Sequence, residues 1–457
     1  MAFSRATFLL AALLAALVVI TSVQGSGQDE DALDRESLQE DVSLDNDHAV
    51  SYKGYKLLSV APVTKRQRKS VIRLAGKQGV QFWLAQRNAT GSFVAQILVA
   101  PGAVARVTRR LKDKGVDFKI VIQDLQNAIN NDVTSLRDTD AIESGRPFVW
   151  DKFHRLSAIY AYMHQVARQH PELAEVKTIG KSTEGRDLLV LKLGRKSQSV
   201  KPAMWIDGGV HAREWISPAA VTYIIRELQK DTGLLNKMDF YLMPVANPDG
   251  YEYSHTKDRL WRKTRSMHRA ANATKTALKR SRPCYGVDAN RNWDSHWGQR
   301  AASMDPCSNN YQGPHPFSEP ETKAASEFIL RLAPAAYLSL HSYSQLWLMP
   351  WGHSDEPSRH DLQLRKVSLK AVEAIQDVSG HTYKTGSINT VLYPISGSSL
   401  DWAHEKAGIR YAFLVELGDT GDYGFVLPAS EIEPTGKEML AAVREVAKAA
   451  IEDAKSK

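Results

Sequence analysis

Ala203-Met204-Trp205-Ile206-Asp207-Gly208-Gly209-Val210 runs directly into His211-Ala212-Arg213-Glu214. The first half is an apolar run with the length of a buried strand, and the residues after Glu214 are amphipathic. A His and a Glu three residues apart can both turn toward one point where a strand ends and a helix begins. Imidazole nitrogen and carboxylate oxygen together suit zinc. Ligands of open α/β sheets bind beyond the carboxyl ends of the strands, which is where this pair falls. Taken alone the pair is a weak signal, because a solvated helix face carries the same spacing. The rest of the chain has to supply a third ligand, a proton acceptor and a substrate site.

On both sides of this stretch, further short apolar runs alternate with helical segments such as Lys152 to His170. They are Leu188 to Leu193, Phe240 to Val245, Ala336 to Leu340 and Ala412 to Val415. Buried runs between helices predict an α/β domain over 148–457, a mixed, mostly parallel sheet with helices on both faces. Residues 50–131 read differently. Strand patterns at Tyr52–Val60, Val80–Leu84, Ser92–Val99 and Asp117–Gln123 are interleaved with helical periods at Thr64–Lys77, Ala103–Lys114 and Asp124–Asn131. That order predicts a small α+β unit. Between the two units, 132–147 is a polar connector open to proteases, with Arg137 and Arg146 as basic positions for cleavage.

The 457 residues are 43% hydrophobic and 24% charged, which allows one large domain and one small one. A cationic start, the apolar stretch Ala6 to Ile20 and small residues up to Gly25 predict a signal peptide over 1–25 and a secreted protein. An acidic lead follows over 26–49. The only two cysteines, Cys284 and Cys307, are expected to pair in an oxidising compartment. Asn88-Ala89-Thr90 and Asn272-Ala273-Thr274 fit the glycosylation pattern. The net charge of +8 owes much to the basic stretch from Lys257 to Arg282. No aromatic interleaving or nucleic-acid fold signature accompanies it, so neither nucleic acid nor, past the leader, a membrane is expected as a partner.

A catalytic zinc has three protein ligands and an open position. Of fourteen histidines, His341 stands out, because it follows the run Ala336 to Leu340 at a strand end. Glu416 ends the run Ala412 to Val415, where a carboxylate would be expensive as mere structure. It is the candidate to take a proton from water, with a structural ion pair as the competing reading. Within Gly286 to Trp293, Arg291 and Asn290 suit a grip on a carboxylate, and Asp288 could accept the free N–H of a zinc histidine. Arg262 is a candidate to hold an oxyanion.

The motifs HAREW (211–215), NPDGYEYSH (247–255), RLWRKTRS (259–266) and GVDANRNWD (286–294) are followed by SLHSYSQ (339–345), LYPISGSSLDW (392–402) and ELGDTGDYGF (416–425). In this order the chain from 148 to 445 resembles the zinc metallocarboxypeptidases of the pancreatic A/B type, and 50–131 resembles their ferredoxin-like activation propeptide. The resemblance implies one zinc ion held by His211, Glu214 and His341. Glu416 would activate water and pass its proton on, and Arg262 would stabilise the oxyanion. Asn290, Arg291 and Arg213 would contact the substrate's terminal carboxylate, with Tyr393 closing over it. Ser342 and Tyr343 would join the substrate site, and Cys284 and Cys307 would form the family's disulfide. A monomeric zymogen, opened by a trypsin-like protease and acting on peptide C-termini, is expected.

Specificity in that family is read in a pocket whose floor corresponds to Leu400, with Ile388 and Gly352 at other lining positions. Leu400 cannot pair a cation, so hydrophobic C-terminal residues are the expected substrates. Two positions depart from the common pattern: Gly418 stands where many members have Arg, and Leu414 is larger than is usual at a pocket wall. The stretch 266–283 is longer and more basic than in digestive members. Two other readings stay open here. One is a B-type enzyme for terminal Lys or Arg, with Asp401 reaching the pocket. The other is a silent binding module, which would be expected to lack a zinc ligand or the glutamate.

Overall fold

The computed structural model describes residues 49–87, 93–134, 147–269 and 283–456. The signal segment, nearly all of the acidic lead, Asn88, Arg137, Arg146, Asn272 and most of the basic insert lie outside the described residues. The N-terminal unit runs β1 (Lys56–Ala61), a helix (Lys65–Ile72), β2 (Val80–Arg87), β3 (Phe93–Val99), a helix (Val104–Asp113), β4 (Asp117–Ile122) and a helix (Leu125–Thr134). Its strands pair antiparallel in the order β2-β3-β1-β4, the βαββαβ arrangement of a ferredoxin-like fold. The first helix starts at Thr64 with a capping box. Thr64 Oγ1 accepts from the Gln67 backbone N–H at 3.1 Å, and Gln67 Oε1 accepts from that of Thr64 at 2.9 Å.

Strand alternation gives this small sheet two buried faces. Leu58, Val60, Ile97 and Val99 pack with Val107 and Leu111 of the covering helix. Leu57, Leu98 and Trp83 turn the other way and pack with Leu260, Tyr343 and Phe425 of the large domain. The second face therefore has its core only where the two domains meet.

The large domain holds β5 (Ala174–Lys181), β6 (Asp187–Leu193), β7 (Ala203–Asp207) and β8 (Asp239–Met243). A two-residue ladder, β9 (Met267–His268) with β10 (Cys284–Tyr285), stands apart. Then come β11 (Ala336–Ser342), β12 (Leu346–Met349), β13 (Lys384–Ser387) and β14 (Tyr411–Leu417). The eight-stranded sheet has the order β13-β12-β14-β11-β7-β8-β6-β5. The pairings β14/β11, β11/β7, β7/β8 and β12/β13 are parallel, and the other three are antiparallel. The mixed sheet expected from the apolar runs is present. The strands β5, β12 and β13 are missing from that series: β5 mixes charged and apolar residues and β13 is Lys-Thr-Gly-Ser, while β12, Leu-Trp-Leu-Met, is an apolar run as short as Ala412 to Val415.

Each face of the sheet carries its own core. Met204 and Ile206 point to one that includes residues of the helices Leu156–Gln169, Ile216–Leu228, Asp361–Ser379 and Ile432–Lys455. Trp205, between them, points to the other, with Leu188, Val190 and Leu400. The centre of the sheet also sets the site's geometry. The parallel register places Ser339 beside Asp207 and His341 beside Glu416. Past β7 the chain turns through Gly209, at φ +62°, where a Cβ would meet Val245 Cα and Pro218 Cγ at 3.1 Å. That turn delivers His211 to the same edge of the sheet as His341 and Glu416.

Candidate metal centre and substrate cleft

His211, Glu214 and His341 are all buried, and their donor atoms lie within 4.8 Å of one another; among the described residues no other group of three qualifies. His211 Nδ1 is 2.8 Å from Glu214 Oε1, His341 Nδ1 is 3.2 Å from Glu214 Oε2, and the two Nδ1 atoms are 3.1 Å apart. Burial alone would push the Glu214 carboxyl up, but the charge and hydrogen bonds of His211 and His341 outweigh it and hold the group well below its usual range. Two imidazole nitrogens and a carboxylate oxygen converging in a dry site form a donor set of the zinc type. These residues fit the ion.

Asp288 ties this centre to the cleft. Its Oδ1 lies 3.1 Å from His211 Nε2 and accepts from the Asn290 N–H at 2.9 Å. Its Oδ2 accepts from Arg262 Nη2 at 2.8 Å. Burial opposes this charge, yet Arg262, Arg291 and His211 bring the carboxyl well below its usual range. One carboxylate thus meets His211, holds an arginine and starts the turn Ala289–Arg291. Arg262 Nη1 is left 3.8 Å from Glu214 Oε1, facing the donor set.

Glu416 lines the same cavity, and burial pushes its carboxyl up to about 7; His341 opposes that shift and the Glu214 charge adds to it. Arg291 donates to the backbone oxygens of Ala301 and Asn290, at 2.8 and 3.0 Å, and Asn290 Oδ1 accepts from the Ser399 N–H at 2.9 Å. Arg213 stacks 3.9 Å from the Phe425 ring centroid, and its Nε and Nη1 have no hydrogen-bond partner among the described residues. Burial, with Arg262 nearby, lowers this guanidinium to about 10. Such a group favours the arrival of an anion.

The cavity is lined by His211, Arg213, Glu214, Arg262, Asn290, Arg291 and Glu416, together with Ser342, Tyr343 and Tyr393, while Asp288 and His341 lie behind its wall. Its apolar wall is Leu348, Ile388, Leu392, Ile395 and Leu414. Leu400 is fully buried in the same hydrophobic cluster but is not among the lining residues, and neither is Gly352. Asp401 is also fully buried, and it accepts from the backbone N–H groups of Gly352 and His353 at 2.9 and 3.1 Å and faces His353 Nδ1 at 2.8 Å. Sequence reasoning missed Leu348, Phe425 and the N-terminal residues Trp83, Leu84 and Ala85, which also line the cavity. Phe425 sits inside a motif quoted above. The three N-terminal residues carry no local signal, because only the docking of the two domains brings them there.

Cys284 and Cys307 form a disulfide across a separation of 23 residues. No helix among the described residues is long and apolar enough to cross a membrane.

Fold and site together define a metal-dependent hydrolase whose cleft is covered by its own N-terminal domain. Residues 159–442 match the family model described as zinc carboxypeptidase, and residues 58–132 match that of the carboxypeptidase activation peptide. The chain belongs to the zinc carboxypeptidase family and has the architecture of a zymogen, and one zinc ion is its cofactor. It is 44% identical to carboxypeptidase B of Astacus astacus over 65% of this chain and 97% of that protein. It is 39% identical to carboxypeptidase A4 of Mus musculus over 75% and 80%. The crystal structure of carboxypeptidase A from Helicoverpa armigera superposes with a TM-score of 0.77 at 29% identity, over 89% of this chain and all of that one.

Proposed function

We propose that the activated protein removes hydrophobic residues from peptide C-termini. Asp401 is the observation that carries this reading. Among similar proteins both A and B types occur, so the pocket has to decide. A terminal Lys or Arg would need a buried carboxylate to meet it. Asp401 is spent on Gly352 and His353, and the apolar wall of Ile388, Ile395, Leu348 and Leu414 offers a cation nothing.

In this reading His211, Glu214 and His341 hold zinc, which when bound acts as a Lewis acid toward water and the scissile carbonyl. Glu416 takes a proton from the attacking water and returns it to the leaving amine. Its raised pKa suits both halves of that task. Arg262, aligned by Asp288, meets the oxygen on which negative charge develops. Asn290, Arg291 and Arg213 bind the free terminal carboxylate, and Tyr393 closes over it, which limits cleavage to the last peptide bond. Ser342 and Tyr343 border the path of the remaining chain.

Assay of matched peptides ending in Phe, Leu and Lys tests the substrate class; a preference for Lys would overturn it. Glu416→Gln should retain zinc and lose at least about a thousandfold in kcat, and retained turnover would remove Glu416 from its role.

We also read the protein as secreted and monomeric, supported by the paired cysteines and the apolar N-terminal stretch. A trypsin-like protease would free it at Arg137 or Arg146. N-terminal sequencing of the active form identifies the bond.

A further inference from the structure

Behind His341, on the side away from the metal centre, lies a buried polar chain. His341 Nε2 is 3.1 Å from Ser339 Oγ, and Ser339 Oγ donates to Asp207 Oδ1 at 2.6 Å. Asp207 Oδ2 accepts from the indole N–H of Trp205 at 2.7 Å. Ser339 is fully buried, Asp207 is 5% exposed and His341 1%. The chain follows directly from strand geometry. Ser339 and His341 are two residues apart on β11, so their side chains share a face, and the register sets Ser339 beside Asp207 on β7. Trp205 and Asp207 are related in the same way on β7.

Proton bookkeeping fixes the direction of these bonds. An ionised carboxylate only accepts, so the Ser339 hydroxyl spends its hydrogen on Asp207. Toward His341 that hydroxyl can then only accept, so the Nε2 of His341 carries the hydrogen. Neutral imidazole has one N–H, which leaves Nδ1 of His341 with a free lone pair. The same logic holds for His211, whose Nε2 faces Asp288. The Nδ1 atoms of the two rings, 3.1 Å apart beside the Glu214 carboxylate, are then the atoms each ring offers to a metal ion.

We infer that Ser339 and Asp207 are positioning residues for zinc, a hydroxyl-bridged counterpart of the direct Asp288–His211 contact. They fix the tautomer and ring orientation of His341, and Asp207 supplies its negative charge at one remove. The centre is therefore asymmetric: a carboxylate backs His211 directly, while a neutral hydroxyl stands between His341 and its carboxylate.

The inference rests on the proposed role of His341 as a ligand, and the test separates the two. Zinc affinity of the full-length protein is measured by competition with a chromophoric chelator, for Ser339→Ala, Asp207→Asn, Asp288→Asn and His341→Ala. Ser339→Ala should weaken zinc binding about 10- to 100-fold, in the range of Asp288→Asn. Asp207→Asn should weaken it less, because an amide oxygen can still accept from Ser339. The absorption spectrum of the cobalt-substituted protein should shift in Ser339→Ala, and Ser339→Thr, which restores the hydroxyl, should recover affinity. A purely structural role would lower Tm and leave chelator competition and the cobalt spectrum unchanged; that result in a folded Ser339→Ala protein overturns the chain alone. Full zinc retention in His341→Ala would overturn both the ligand role and the chain.

Discussion

Gln96 of the N-terminal domain and Tyr343 of the catalytic domain meet in a buried hydrogen bond of 2.5 Å, with the tyrosine hydroxyl donating to Gln96 Oε1. The other end of the same amide donates to the Gly421 carbonyl at 2.6 Å. One side chain thus bridges two loops at the rim of the cleft, next to the contact of Trp83 with Phe425.

Gln96→Leu would leave the Tyr343 hydroxyl and the Gly421 carbonyl without partners in a dry seam. Each such group costs about 1–3 kcal/mol. The severed N-terminal domain should then dissociate roughly 10- to 100-fold faster, since about 1.4 kcal/mol is a factor of ten. After limited proteolysis of the zymogen, activity should rise with a shorter lag than in the native protein. An equal lag would show that the seam is held by apolar contacts alone.

Leu414 forms part of the apolar wall, while Leu400, on the neighbouring chain segment, does not reach the cavity. The preference between terminal Phe and terminal Leu is therefore expected to depend on residue 414. Leu414→Ala opens space for an aromatic ring and removes contact with a short aliphatic chain. The ratio of kcat/KM for Phe over Leu peptides should rise about tenfold, the usual scale for a few methylene groups in a pocket. Leu400→Ala should move that ratio less, and act mainly through stability.

The disulfide Cys284–Cys307 encloses Asp288, Asn290 and Arg291. Closing a loop of this length stabilises the fold by about 3 kcal/mol on the chain-entropy estimate. The Cys284→Ser, Cys307→Ser double variant should unfold at a lower temperature by calorimetry. Its KM should rise more than its kcat falls, because the enclosed turn presents Asn290 and Arg291 while Glu416 lies on β14.

The parts legible in the sequence are those whose signal is local. His211 comes just after β7 and His341 lies near the end of β11, two strands buried on both faces, and such strands leave a nearly continuous apolar run. Glu416 is marked in the same way. The half-exposed β5 and the short, polar β13 carry no run, so they escaped notice. The pairing of Asp207 with Ser339 is a matter of register between strands 132 residues apart. Residue types alone do not set such a register. Gln96 and Trp83 were invisible for a related reason: each lies in an ordinary strand pattern and gains its role only when the two domains dock.

Glu321 gives a pH-dependent prediction away from the cleft. It is buried near the start of the helix Pro320–Leu332; its Oε1 accepts from the Thr183 N–H at 3.0 Å and its Oε2 has no partner among the described residues. Burial pushes its carboxyl up to about 7; hydrogen bonds from the backbone oppose this and the charges of Glu319 and Asp249 add to it. The unfolded group titrates at its ordinary value, lower than in the fold. Between the two values the folded state binds more protons, so this residue's contribution to stability is complete below the unfolded pKa and is lost as pH rises through about 7. Glu321→Gln keeps an acceptor for Thr183 and cannot ionise. The variant should match the native protein at pH near 4.5 and exceed it by roughly 1–3 kcal/mol at pH near 8. Urea unfolding at both values measures the difference; equal stabilities at the higher pH would mean that the charged carboxylate is solvated in the fold.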